Sequence, residues 1–165
     1  MKAIDKSGVH PEPVCGNAAQ SPRPDRIPAL TVLQPYAQLI CVGAKQIENR
    51  TWKIAAKHMH RPLLLHAGMG IQYLEAPGLA SSYVRGAIVA VVTIAAVAHK
   101  EWPEALWSGF GHLSLSEHAH GPWCHILTDV VALSRPVYVK GKQRIWYPEA
   151  KIIEAVRRRV PEGTL

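Results

Sequence analysis

LTVLQPYAQLICVGAKQIENRTW, residues 30–52, changes backbone character twice within one short stretch. The apolar run ending at Leu33 predicts a strand over Ile27–Leu33. Gln34-Pro35 then opens a helix, because proline at the first helical position gives up only an N–H that would have no partner there. Tyr36, Leu39, Ile40 and Val42 supply its apolar face, and Gly43 ends it as a left-handed cap. Lys45 to Arg50 resumes as a strand.

Working outward, PLLLHA (Pro62–Ala67) reads as a buried strand. GAIVAVVTIAAVA (Gly86–Ala98) is the strongest strand of the chain. Its unbroken apolarity predicts burial on both faces, as in a closed barrel wrapped by helices. Trp123–Thr128 and Ser134–Val139 form two further strands. Gly141-Lys142 makes a turn into Gln143–Tyr147, and Pro148 starts a last helix over Glu149–Arg159. Gly70–Tyr83 reads as a short irregular helix broken at Pro77-Gly78, and His99–Gly121 as a long insert of mixed signals. Many short strands with few helices predict an α+β chain, a small, mostly antiparallel β-barrel with flanking helices.

At 165 residues the chain has room for one domain with its own core. Met1–Arg26 is rich in proline and charge without periodicity and reads as a disordered tail, leaving residues 27–165 as the domain. The formal charge is +7, with 19 basic against 12 acidic residues. That surplus favours a polyanionic partner, since each cation laid on a phosphate releases a condensed counterion, although solubility alone explains such a charge equally simply. Cys15, Cys41 and Cys124 match no metal knuckle or redox pair. Cys41 and Cys124 lie in apolar runs and read as buried thiols, so a reducing, cytoplasmic compartment is expected. The start of the chain carries no apolar leader pattern, and the longest apolar run is too short to span a bilayer, so no membrane partner is expected.

Alternation along a strand puts Glu48 and Arg50 on one face and Ile47 and Asn49 on the other. Trp52 joins the Glu48 face if no bulge intervenes, and Lys45 sits at the helix-to-strand corner. Arg50 offers a planar fork for phosphate or a base edge, and Trp52 a surface for stacking. The plain structural alternative is a buried Glu48–Arg50 ion pair and a Trp52 core plug. Lys53, Lys57, His58, His60 and Arg61 form a basic loop that could track phosphates or simply face solvent. His58 and His60 lack a third partner of suitable spacing, so no metal is expected. His66 reads as a core histidine or as the rim of a cleft. Thr128, beside Asp129, reads as a strand-end threonine or a nucleophile. Arg157, Arg158 and Arg159 suit a helix C-terminus, or form an outer RNA contact with Lys140, Lys142 and Arg144.

The same stretch resembles the signature of the ASCH family: a short strand, Q-P-aromatic-A, a helix, G-x-K and E-N-R-x-W. RPLLLHAG (Arg61–Gly68), GAIVAVVTI (Gly86–Ile94) and GPWCHILTD (Gly121–Asp129) are similar to three further family blocks, in the family's order. The resemblance implies a PUA-like barrel with a cleft between barrel and first helix. It also implies an RNA- or nucleotide-binding domain with a basic cleft. Gln34, Tyr36, Lys45, Asn49, Arg50, Trp52, Lys53, Lys57, Arg61, His66 and Arg144 would hold single-stranded RNA or a nucleotide. The alternative is a metal-independent hydrolase of RNA or an acylated nucleoside, with Lys45, Glu48, Lys53 and Thr128 as its catalytic set. In the amidohydrolase branch a threonine stands where this chain has Glu48, a departure from that mechanism. No cofactor is implied, and the chain would work as a monomer or weak dimer.

Overall fold

The computed structural model describes residues 26–71 and 82–165. Among them β1 (Ala29–Gln34) leads into α1 (Tyr36–Cys41), β2 (Ile47–Arg50), β3 (Pro62–Ile71), β4 (Ala87–His99), β5 (Trp123–Tyr138), β6 (Ile145–Trp146) and α2 (Ala150–Arg157). The strands hydrogen-bond in the order β2-β5-β4-β3-β1-β6. β1 and β3 run parallel, and every other neighbouring pair is antiparallel. The sheet curls into a half-barrel with β2 and β6 as its edges, where a closed barrel was expected. The apolarity of β4 has a different cause. β4 lies between β3 and β5, and three clusters cover it.

In the first cluster Ala90, Val92 and Ile94 of β4 pack with Leu63 and Leu65 of β3 and with Ala37 and Ile40 of α1. In the second, Ile88 and Val91 meet Leu64, Trp146 and the α2 residues Ile153 and Val156. In the third, Ala96 and Ala98 lie under the insert, against Trp107, Leu113 and Ala119. The insert is therefore a lid on the outer sheet face, built from short 3-10 turns at Glu104–Leu106 and Gly111–Leu115. Apolar burial of this kind is the dominant favourable term in folding.

Several local expectations change. Trp123–Thr128 and Ser134–Val139 are one strand of 16 residues. The break between them is absorbed by Asp129 at φ 50° and by register shifts against β4. β3 runs on to Ile71, so Gly70 is strand rather than helix; the rest of that expected helix, through residue 81, lies outside the described residues. So does the expected tail apart from Arg26, whose guanidinium stacks 4.5 Å from the Tyr147 ring centroid. α1 is a helix of 6 residues that buries Ala37 and Ile40. Val42 lies past its end and faces solvent. Gly43 takes the left-handed cap expected of it, at φ 77°. Cys124 is buried, whereas Cys41 is only partly so; burial still pushes its thiol up to about 11.

Candidate functional site

β2 is a strand of 4 residues. Its residues pair in strict register with β5, Glu48 opposite His125 and Arg50 opposite Trp123. Glu48 and Arg50 share a face, as alternation demands, and bind each other: an Arg50 Nη2 lies 3.1 Å from Glu48 Oε1. Lys45 turns in from the corner to the other carboxylate oxygen, with Nζ 3.0 Å from Oε2. It also donates to the Ile47 carbonyl and lies 5.2 Å from the Tyr36 ring centroid. Lys45 is 2% exposed and Glu48 6%. Buried charges persist only when paired in this way, so Glu48 is the counter-ion that lets two cations stand side by side.

Arg50 reaches further. Its Nη2 also donates to the Thr31 carbonyl on β1, bridging the seam that the open sheet leaves. Its Nε is buried without a partner among the described residues. Asn49, on the other face, is fully engaged. Its Nδ2 donates to the His118 carbonyl at 2.8 Å, and its Oδ1 accepts from the His120 and Gly121 backbones at 3.1 and 2.9 Å. It is a staple for the insert.

Two hollows adjoin at Leu33 and Arg50. The smaller, about 490 Å³, is lined by Tyr36, Lys45, Glu48, Asn49, His118 and His120 besides those two. The larger is a groove of about 860 Å³ beside β1. It exists because β6 pairs only with Ala29 and Leu30, leaving β1 without a strand on that side from Thr31 onward. The chain between β5 and β6 crosses this gap instead. It is fastened by Thr31 Oγ1, which donates to the Lys142 carbonyl at 2.7 Å and accepts from Trp146 Nε1 at 3.1 Å. Among the described residues the groove is lined by Arg50, Lys140, Lys142 and Arg144 and by no carboxylate, with Trp52, Thr31, His66 and Met69 among its other walls. Lys140, Lys142 and Arg144 have no ion-pair partner among the described residues. Arg50 and Arg144 each stand 5.9 Å from the Trp52 ring centroid.

His66 lies under the groove, 1% exposed. Its Nε2 donates to the Val139 carbonyl at 3.0 Å, which leaves Nδ1 as a buried acceptor without a partner among the described residues. Burial holds its pKa below the usual histidine value, against the opposite pull of that hydrogen bond. Gly141 is required here by close approach: a Cβ would come within 2.3 Å of His66 Cε1. His125, behind Trp52, donates from Nε2 to the Trp52 carbonyl at 3.2 Å and packs edge-on to the indole. Burial first, and then the Arg50 charge, lowers its pKa to about 4.

The expected residues thus divide. Arg50, Trp52, His66 and Arg144 meet in the groove, while Tyr36, Lys45, Glu48 and Asn49 line the smaller hollow. Gln34 is buried, its amide spent on the Val84 carbonyl and the Gln38 N–H. Lys53 stands over Trp123, outside both hollows. Lys57 and Arg61 line neither hollow and bind each other's neighbourhood, Arg61 donating to the Lys57 carbonyl at 3.3 Å. His58 is buried beside Tyr147. Thr128 lies in neither hollow and donates to Asp129 at 3.0 Å. Lys140 and Lys142, read from sequence only as partners of the terminal arginines, are groove walls. Arg158 and Arg159 turn back onto α2. Thr31, His118 and His120 had no sequence signal. Besides Arg50, Trp52 and His66, the basic run Lys140–Arg144 was the sequence signal for the groove.

The ASCH domain family model matches residues 30–112. The chain is similar to the crystal structure of an ASCH protein from Zymomonas mobilis, with a TM-score of 0.50 and 13% identity over 83% of this chain and 97% of that one. A point mutant of the ASCH protein from Zymomonas mobilis is similar at a TM-score of 0.50 and 12% identity, over 81% and 98%. At such identities the likeness speaks to the fold. No curated protein matches the chain. The family match, spanning half the chain and its signature strand–helix–strand, establishes that this chain belongs to the ASCH domain family, a branch of the PUA-like fold.

Proposed function

We propose that the chain binds single-stranded RNA or a nucleotide in the groove beside β1. The observation that carries this reading is the wall composition: Arg50, Lys140, Lys142 and Arg144 with no acidic residue among the described lining residues, next to the Trp52 indole. Lys140, Lys142 and Arg144, which have no ion-pair partner among the described residues, favour phosphate, and an indole among them favours a flat base. The buried Lys45–Glu48 pair contributes indirectly. Glu48 holds the Arg50 fork in one orientation, and Lys45 offsets the carboxylate charge, so the three groups together remain positive. A guanidinium fixed in advance loses less freedom on binding than a free one.

No observation singles out the hydrolase alternative. Lys45 is committed to Glu48 and Ile47, and Thr128 is absent from the linings of both hollows.

The test is tryptophan fluorescence titration with a short uridine oligomer at two salt concentrations. Engagement of three phosphates by Lys140, Lys142 and Arg144 gives a log–log salt slope of about −2. Lys142→Ala makes it shallower by about 0.7. Absence of both quenching and salt dependence overturns the proposal. Incubation of labelled RNA and of acetylated cytidine with wild type and Lys45→Ala reads the alternative directly: turnover lost in the variant would establish it.

A further inference from the structure

We propose that the Trp123 indole, framed by Trp102 and capped by Lys53, is a second stacking platform, so that the ligand is a single strand of several nucleotides rather than a lone nucleotide. The inference rests on the groove reading above and extends it along the molecule.

Arg50 lines the groove and sits directly opposite Trp123 across the β2–β5 pair. Directly paired residues share a sheet face and place their Cβ atoms roughly 5 Å apart. The groove wall and the second indole are therefore neighbours. Beneath the surface that joins them, the Trp52 indole packs on buried His125 at 5.3 Å, and His125 and Trp123 are alternate residues on one face of β5.

Trp123 is partly exposed. Trp102 stands perpendicular to it at 5.8 Å, and His99 does so at 5.1 Å. These edge contacts fix the ring without stacking on it. Over the ring, 5.3 Å from its centroid, sits the Lys53 ammonium. Lys53 is exposed and has no carboxylate partner among the described residues. A flexible lysine on an exposed indole is a weak contact, and a nucleobase on the same ring is a stronger one. A base can displace the ammonium, which then has a phosphate of the same strand within its reach. The alternation of Arg144, Trp52, Arg50, Trp123 and Lys53 is the pattern a sequence-tolerant single-strand binder needs: stacking surfaces interleaved with backbone cations.

The experiment compares a short uridine oligomer with uridine monophosphate on the full chain, by fluorescence polarisation and calorimetry, for wild type, Trp123→Ala, Trp123→Phe and Lys53→Gln. Wild type binds the oligomer at least tenfold more tightly. Trp123→Ala weakens oligomer binding by roughly 5- to 100-fold, far more than mononucleotide binding, and Trp123→Phe restores most of it. Trp123 packs on the barrel core. Lys53→Gln, at an exposed side chain, therefore carries the test independently, through an oligomer salt slope shallower by about 0.7. The proposal is overturned if the oligomer binds no better than the mononucleotide, or if folded Lys53→Gln and Trp123→Ala bind it as wild type does. Mononucleotide binding with no oligomer gain removes the second platform and leaves the groove. Failure of both ligands removes both.

Discussion

His125 is the group through which acid should loosen this site. It is fully buried on β5, opposite Glu48 on β2, and its Nε2–H holds the Trp52 carbonyl. Burial and the neighbouring Arg50 lower its pKa from 6.5 to about 4. The folded value lies below the unfolded one, so the unfolded chain takes up the proton first. The associated stability is complete above about pH 6.5 and is lost progressively as pH falls toward 4. The 2.5-unit difference between those two values corresponds to about 3 kcal/mol in full, and to about 2–3 kcal/mol at pH 4.5. The assay is urea denaturation of wild type and His125→Gln at pH 7.5 and pH 4.5. At the higher pH the variant should be less stable, having lost the imidazole packed edge-on to Trp52, while its amide can still donate to the Trp52 carbonyl. At the lower pH the gap should shrink by about 2–3 kcal/mol, because only the wild type has the His125 imidazole to charge. His58 and His66, whose pKa values burial also lowers, are present in both proteins and cancel in the comparison. A gap of equal size at the two pH values would refute the reasoning, since His125 would then not be held neutral by the fold.

Glu48→Ala strands the buried Lys45 and frees Arg50, and should cost about 3–5 kcal/mol in chemical denaturation; a cost below about 1 kcal/mol would mean that water reaches Lys45. Asn49→Ala removes the acceptor and donor that hold residues 118–121. Hydrogen exchange should rise there by more than in β3 and β4, with a stability loss of about 1–3 kcal/mol; an equal rise across the chain would contradict the staple. Gly141→Ala forces a methyl group into His66, for which about 1–3 kcal/mol is expected. It should also weaken RNA binding by displacing Lys140 and Lys142, and wild-type affinity in a folded Gly141→Ala protein would disconnect that loop from the site.

The order of elements was legible because periodicity is local. Proline at the head of α1, Gly43 behind it and the apolar run of β4 each act through a few neighbouring residues. The continuity of β5 was not legible. Asp129 punctuates that stretch as a turn does, and pairing with β4 carries the strand past it. At the site, alternation along β2 correctly put Glu48 and Arg50 on one face. It could not tell that Lys45 would be drawn inside to satisfy Glu48, or that Asn49 would be consumed by an insert some seventy residues away.

The chain's own order of residues was enough to determine the strand–helix–strand opening, the family membership that goes with it, and the surplus of positive charge. Tertiary structure alone decided where that charge collects. A sheet edge left open after two paired residues of β1 has to be covered, and the segment that covers it carries Lys140, Lys142 and Arg144 to the side of Trp52. Strand pairing between residues more than a hundred positions apart sets that meeting, and no short-range pattern encodes it, because the energy that favours it comes from contacts the linear chain does not yet have.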